Sequence, residues 1–288
     1  MKTFIFCNTN CSVAFLAYKA FKKLIKQEKD FVIVFDQEYD IFLHDIELYE
    51  HFYVASDRHV YQNFILNTQT VLLDFDLDFS ISSDKTYEEY IINKIFEKTV
   101  SIDTVEFFDD YVIKHNTQEI LQKNNHHNFS YVLFVPFNLD IVTEQDRYDN
   151  SFSSFRTETV EYLTTILTDK VNLIKVLPSE KNSILEISNL VKSSHYVISN
   201  LDIVHRLACE YNIPNFVNLA RFNHYKSLSD KATIYDPYRN EKKYIPSSFF
   251  SRDYFSIKGQ FNNYTEHPEE ILEEILKSFD EHSIAYKS

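Results

Sequence analysis

One glycine, Gly259, occurs in a chain of 288 residues, and tryptophan is absent. The glycine shortage excludes whole classes of site. A dinucleotide-binding GxGxxG turn and a P-loop both need glycines where the backbone closes on phosphate, and a G-x-S-x-G nucleophile elbow needs two. Cysteine is scarce as well. Cys7, Cys11 and Cys209 are odd in number and unevenly spaced, so they set neither a disulfide framework nor a zinc site, which points to a reducing compartment. Basic residues are outnumbered, 29 Lys and Arg against 43 Asp and Glu, for a net charge of −14. That balance argues against a nucleic-acid partner and against a polybasic grip on anionic lipid. No stretch approaches the ~18 apolar residues of a membrane span. Met1-Lys2-Thr3 passes directly into a short apolar strand, without the apolar region of a signal peptide.

What is present is apolar and aromatic. Hydrophobic residues make up 44% and aromatics 16% of the chain, more than a disordered segment carries, and 34.3 kDa suffices for one large or two modest cores. The clearest pattern lies between residues 171 and 219. An apolar run at 171–176 stops at Leu177-Pro178-Ser179-Glu180, and a helical pattern follows over 183–192, with Ile184, Ile187, Leu190 and Val191 on one face. A second strand at 195–199 leads into Asn200-Leu201-Asp202. Ile203, Leu207 and Tyr211 mark the next amphipathic helix, and Pro214 opens a strand at 215–219. Short strands alternating with helices predict a parallel sheet with right-handed crossovers. Ligands of such sheets sit beyond the carboxyl ends of the strands, beside helix N-termini. The polar turns at 178–180 and 199–202 are therefore the expected anion sites.

The first half alternates too. Strands are predicted at 3–7, 30–36, 51–55 and 70–77 and helices at 13–25 and 86–97, followed by a strand at 104–108 closing in Asp109-Asp110 and a helix at 115–123. Asn124-Asn125-His126-His127-Asn128 reads as a polar linker, after which a strand at 131–136 and a helix at 155–168 open the second half. Residues 225–264 are irregular in pattern, and a last helix spans 269–282, with Pro268 before it and Glu269 and Glu270 in its first turn. The expected architecture is α/β, two Rossmann-like domains at residues 1–127 and 128–288. A single α/β domain is the alternative.

Several motifs on this frame resemble the bacterial GT-B sialyltransferases of lipooligosaccharide and capsule synthesis, in which two Rossmann-like domains face a cleft. Phe4-Ile5-Phe6-Cys7-Asn8-Thr9 is similar to their first strand and turn. Phe107-Phe108-Asp109-Asp110-Tyr111 resembles their motif of two acids and a glycine, with Tyr111 in the glycine's place. Leu173-Ile174-Lys175-Val176-Leu177-Pro178 resembles the strand leading to their His-Pro motif, with Leu177 for histidine. Glu186 falls where the family has a glutamate on the cytidine ribose, and Ser199-Asn200 falls on a paired-serine motif with the first serine kept. The resemblance follows the element order over residues 1–220. It implies a cytoplasmic enzyme, at most peripheral at the inner membrane, that moves sialic acid from CMP-sialic acid onto a surface glycan or glycolipid. No metal and no cofactor beyond the nucleotide-sugar donor is implied. In this reading Asp109 or Asp110 is the catalytic base. Glu186 holds the ribose, Lys175, Pro178, Ser199 and Asn200 face the donor phosphate, and Asn8, Asn10, Asp74 and Asp76 lie on the acceptor side.

Other readings use the same residues. Asp109-Asp110 fits a solvated loop, Glu186 an exposed helix face and Ser199-Asn200 a helix N-cap, while His205 reads as a helix-surface or half-buried residue. Residues 184–214 also resemble the donor domain of heptosyltransferases, whose Asp-x-Gly-x-x-His turn here reads Asn200-Leu201-Asp202-Ile203-Val204-His205. That resemblance implies an ADP-sugar instead of CMP. In Asp74-Phe75-Asp76-Leu77-Asp78 the three carboxylates share one strand face and repel unless a metal or solvent relieves them. The segment is similar to the Asp-x-Asp strand of arginase-like and haloacid-dehalogenase-like hydrolases, a metal-dependent alternative. The departures at Tyr111, Leu177 and Asn200 point to a last class, a member that keeps the fold for binding alone.

Overall fold

A computed structural model of the protein describes residues 1–7, 9–55, 69–74, 87–103, 105, 131–139, 155–176, 183–200, 202–218, 232–235 and 267–287. The described residues fall into two compact units, one within Met1–Glu106 and the other within Phe107–Tyr244 and Asn263–Ser288. The expected junction near residue 127 lies outside the described residues, as do the helix expected at 115–123 and most of the strand expected at 104–108.

The first unit is built on a parallel sheet of β1 (Lys2–Cys7), β2 (Phe31–Phe35), β3 (Phe52–Val54) and β4 (Gln69–Asp74), in the order β3-β2-β1-β4. Helix α1 (Cys11–Leu24) connects β1 to β2, and its first turn is capped by Asn10, whose side chain accepts from the Val13 N–H at 2.9 Å. Phenylalanines fill the space between sheet and helix. Strand alternation puts Phe4 and Phe6 on the same face. Phe4 meets Phe21 of α1 edge-on at 5.2 Å, and Phe6 stacks on Phe35 at 4.4 Å. Two elements absent from the sequence reading, α2 (Asp40–Leu43) and a single 3₁₀ turn at Tyr49–His51, carry the chain into β3. Phe42 of α2 stacks on Phe52 at 4.8 Å. Helix α3 (Tyr87–Phe96) follows β4 and packs on α1. Strand order reverses between β1 and β4, where Cys7 pairs in register with Asp74.

The second unit holds a five-stranded parallel sheet of β5 (Val132–Phe134), β6 (Leu173–Lys175), β7 (Tyr196–Asn200), β8 (Asn215–Asn218) and β9 (Ala232–Tyr235), ordered β6-β5-β7-β8-β9. β9 falls in the region expected to be irregular. Four residues are too few to display a pattern, and the strand is defined by its pairing to β8. Helices α4 (Thr157–Lys170) and α7 (Pro268–Glu281) cover one face, where Leu163, Leu167, Ile271, Ile275 and Phe279 bury against Phe134, Tyr196, Ile198 and Phe216. Tyr196 hydrogen-bonds Ser278 and meets Phe279 edge-on at 4.9 Å. Helices α5 (Ile184–Ser193) and α6 (Ile203–Glu210) pack together, and α6 lies on β7 and β8. With strands taken in chain order the sheet runs second, first, third, fourth, fifth. This is a doubly wound arrangement whose order reverses between β5 and β7.

Two helix ends show how the chain stops helices without glycine. After α6 the Ile213 N–H bonds the Ala208 carbonyl at 2.9 Å and the Asn212 N–H bonds that of Cys209 at 3.1 Å, with Asn212 at φ 57°. After α7 the Ile284 N–H bonds the Phe279 carbonyl at 2.9 Å and the Ser283 N–H bonds that of Asp280 at 3.2 Å, with Ser283 at φ 55°. Both are the hydrogen-bond pairs of a Schellman end, whose left-handed residue is usually glycine. Asparagine visits that region readily, whereas a serine Cβ costs roughly 1–2 kcal/mol there. Ser283→Gly is therefore expected to raise the unfolding free energy by about 1 kcal/mol, seen as a higher urea midpoint at unchanged m value.

Candidate functional site

The reversal between β5 and β7 is where a doubly wound sheet opens a crevice at its carboxyl edge. Two side chains organise that edge. Asn200, the last residue of β7, donates its amide N–H to the Pro136 carbonyl at 2.8 Å. Asp202 caps α6, its Oδ1 accepting from the Val204 N–H at 2.9 Å, and its Oδ2 accepts from the Leu139 N–H at 2.9 Å. The segment after β5 is thus tied to the end of β7 by two buried bonds.

Asp202 is 1% exposed and stands at the N-terminus of α6, where its side chain takes the Val204 N–H at the helix end expected to receive an anion. Ser199 and Asn200 do not cap the helix. Both belong to β7 and are 0% exposed, and Asp202 is the cap.

His205, expected at the helix surface or half-buried, is fully buried. The Asn215 amide N–H donates to the Ile213 carbonyl at 2.9 Å, which turns its Oδ1 toward the imidazole at 2.8 Å from His205 Nδ1. The imidazole therefore carries its proton on Nδ1. Burial pushes its pKa down to about 3, against the opposing effect of the Asn215 bond. Cys209 places its Sγ 3.5 Å from Nε2 and 3.8 Å from Nδ1. A sulfur so nearly equidistant from both nitrogens lies broadside to the ring, not along the Nε2 lone pair. Cysteine, histidine and asparagine meet here as packing, without the alignment that proton transfer needs.

The remaining candidates are dispersed. Glu186 lies half-buried in the first turn of α5, where its N–H bonds Ser183 Oγ at 3.2 Å. Lys175 ends β6 in the register row Lys175, Phe134, Ile198. One strand therefore separates Lys175 from β7, a span of about 10 Å at ordinary strand spacing. Asn10 serves as the cap of α1, and Asp74 is the last residue of β4. Asn8, Asp76, Asp78, Asp109, Asp110, Tyr111, Leu177 and Pro178 lie outside the described residues. Among the described residues, no group of three or more His, Cys, Asp or Glu is arranged to hold a metal, and no helix is long and apolar enough to cross a membrane.

The matching edge of the first unit is occupied by its own side chains. Asp36, just past β2, accepts from the Thr9 hydroxyl and from the Thr9 N–H at 3.3 Å. Tyr39 Oη lies 2.9 Å from Thr9 Oγ1, and Gln37 donates to the Thr9 carbonyl at 3.0 Å and to Tyr39 Oη at 2.6 Å. Burial pushes the Tyr39 hydroxyl far above its ordinary range. In a dinucleotide fold an acid at the end of the second strand holds ribose and the turn after the first strand holds pyrophosphate. Here the acid holds the turn itself.

Sequence reasoning missed Asp202 and Asn215 as organisers of the edge. The signal for Asp202 was available, since an aspartate directly before Ile203-Val204 and a helical apolar period marks an N-cap. Two outcomes follow. Asp202→Ala is expected to cost about 2–4 kcal/mol, as a lost cap plus an orphaned Leu139 N–H, read by urea denaturation. Folding that keeps His205 neutral contributes fully above pH 6.5 and is lost progressively as pH falls toward about 3. The acid side of the stability profile should accordingly be shallower in His205→Gln than in the parent, measured by denaturation midpoints across that window.

No protein-family model and no curated protein matches the sequence. Solved structures do match its fold. A family 9 glycosyl transferase from Veillonella parvula aligns with 97% of this chain and 97% of its own at TM-score 0.59 and 10% identity. The ADP-heptose lipopolysaccharide heptosyltransferase II of E. coli aligns with 98% and 100% at TM-score 0.52 and 8% identity. The iron-containing dodecameric glycosyltransferase TibC of enterotoxigenic E. coli aligns with 97% of this chain and 76% of its own at TM-score 0.50 and 9% identity. At such identities the likeness establishes the fold alone. That fold is the α/β, Rossmann-like fold of the GT-B glycosyltransferases.

Proposed function

We propose that the chain is a glycosyltransferase that takes its sugar from an ADP-linked donor and passes it to a glycan or glycolipid acceptor. The observation that carries this reading is the full-length fold likeness combined with the doubly wound second sheet, whose order reverses between β5 and β7. Between the two transferase readings, the neighbours favour the ADP-sugar over CMP-sialic acid. E. coli heptosyltransferase II is named for ADP-heptose. Asn200-Leu201-Asp202-Ile203-Val204-His205 also keeps the histidine of the heptosyltransferase turn. Its burial against Asn215 gives that histidine a positioning role, holding the start of β8 against α6.

In this mechanism the acceptor hydroxyl attacks the anomeric carbon while a carboxylate removes its proton and the nucleoside diphosphate leaves. Asp109 and Asp110 are the proposed bases. Asn8, Asn10, Asp74 and Asp76 are proposed for the acceptor. Lys175 and Pro178 at the end of β6 are proposed for the leaving diphosphate, and Glu186 at the start of α5 for the ribose. Ser199 and Asn200 support the donor site from beneath, because both are buried in β7. The protein works in the cytoplasm, with at most peripheral contact at the inner membrane.

The test is thermal stabilisation by ADP, ADP-sugars, CMP and UDP, with Mg²⁺ or Mn²⁺ added separately. A ligand at ~100 times its dissociation constant stabilises by about 2.7 kcal/mol. ADP should shift the melting temperature and CMP should not, and Lys175→Ala should weaken the ADP shift by roughly tenfold in affinity, about 1.4 kcal/mol. A shift with CMP alone returns the sialyltransferase reading. A metal shift without nucleotide favours the Asp74–Asp78 hydrolase, and no shift at all favours a fold kept without transfer chemistry.

A further inference from the structure

Asn200 and Asn218 are register partners at the carboxyl ends of β7 and β8. Alternation places both on the face that carries Ile198 and Phe216 two residues earlier in their strands. Both side chains are 0% exposed. The Asn200 amide N–H is used by the Pro136 carbonyl, but Asn200 Oδ1 and both polar atoms of the Asn218 amide have no hydrogen-bond partner among the described residues. Buried amide groups are nearly always satisfied, by protein or by ordered water. An orphaned acceptor on Asn200 beside an orphaned amide on Asn218 therefore points to one occupant shared by the two side chains.

Spacing and chemistry identify it. The two amides do not bond each other, although they are register partners on strands that stand about 4.8 Å apart. An oxygen making two hydrogen bonds of about 2.8 Å at a tetrahedral angle spans about 4.6 Å, a separation of the same order. The unmet groups are two acceptors and an N–H donor, all neutral. An anion would face two carbonyl oxygens, and an apolar group would satisfy none of the three. Complete burial admits only a molecule small enough to be enclosed.

We propose that Asn200 and Asn218 bind an internal water that donates to Asn200 Oδ1 and accepts from Asn218 Nδ2. Rotating the Asn218 amide exchanges its donor and acceptor and leaves the bridge in place. The water extends the line of bonds at the carboxyl edge, from Asn218 through Asn200 to Pro136, and so ties β8 to the segment after β5. It rests on no assumption about donor or acceptor chemistry.

A crystal structure of the full chain at about 1.8 Å or better is the test, because buried waters at two such amides are well ordered. One density peak within about 3.2 Å of both side chains is the expected result. In Asn218→Leu, branched alike but larger and apolar, the peak should vanish and the melting temperature should fall. In Asn218→Ser, which keeps a hydroxyl, the peak should persist. Absence of the peak in the parent, a direct Asn200–Asn218 bond, or a peak ringed by five or more oxygens as a cation would be, each overturns the proposal. A nuclear Overhauser contact from a long-lived water to the Asn200 and Asn218 side-chain amides tests the parent in solution. Its absence overturns the proposal as well, whether or not the leucine variant folds.

Discussion

The carboxylate of Asp202 is the joint on which the second unit turns. Each oxygen takes one backbone N–H, one from the helix that follows and one from a segment 63 residues earlier in the chain. Burying an isolated carboxylate is prohibitive, and two charge-assisted bonds are what make this one tolerable. Because both oxygens are committed, the segment after β5, the end of β7 and the start of α6 cannot shift independently. The same commitment gives the Val204 N–H at the start of α6 a partner within the chain. A single side chain thus sets the geometry of the edge.

The two sheets have diverged in how they use their carboxyl edges. In the first unit Thr9, Asp36, Gln37 and Tyr39 bond one another across the turn after β1, so that edge is internally satisfied. In the second, buried amides at the ends of β7 and β8 find no protein partner for part of their hydrogen-bonding capacity among the described residues. A chain with one glycine cannot approach phosphate with bare backbone. At α6 the helix end is already taken by the Asp202 side chain.

Much of the fold could be read from the sequence because strand and helix periods are local properties. The apolar run at the start of β7, the period of α6 and Pro214 before β8 each declared an element within a residue or two of its place. β9 could not be read, since Ala232-Thr233-Ile234-Tyr235 becomes a strand only by pairing with β8. The site was less legible for the same reason. His205 looked like a surface residue because its burial depends on Asn215, ten residues away on another element. Asn218 carried no signal at all, since nothing in its neighbours announces that it will face Asn200. Asp202 was legible as a cap, but its second bond, to the Leu139 N–H, is tertiary and invisible in the local pattern.

The position of α7 bears on the order in which the second unit is completed during synthesis. Ile271, Ile275 and Phe279 cover the sheet face formed by Phe134, Tyr196, Ile198 and Phe216, yet α7 lies at residues 268–281, after the other described elements. Until it emerges, that face is apolar and open on one side, while the phenylalanine core between β1, β2 and α1 is already available to close. The second sheet therefore stays half-covered on the nascent chain for the whole interval between β9 and α7. That interval is when the protein is most exposed to aggregation and most in need of chaperones.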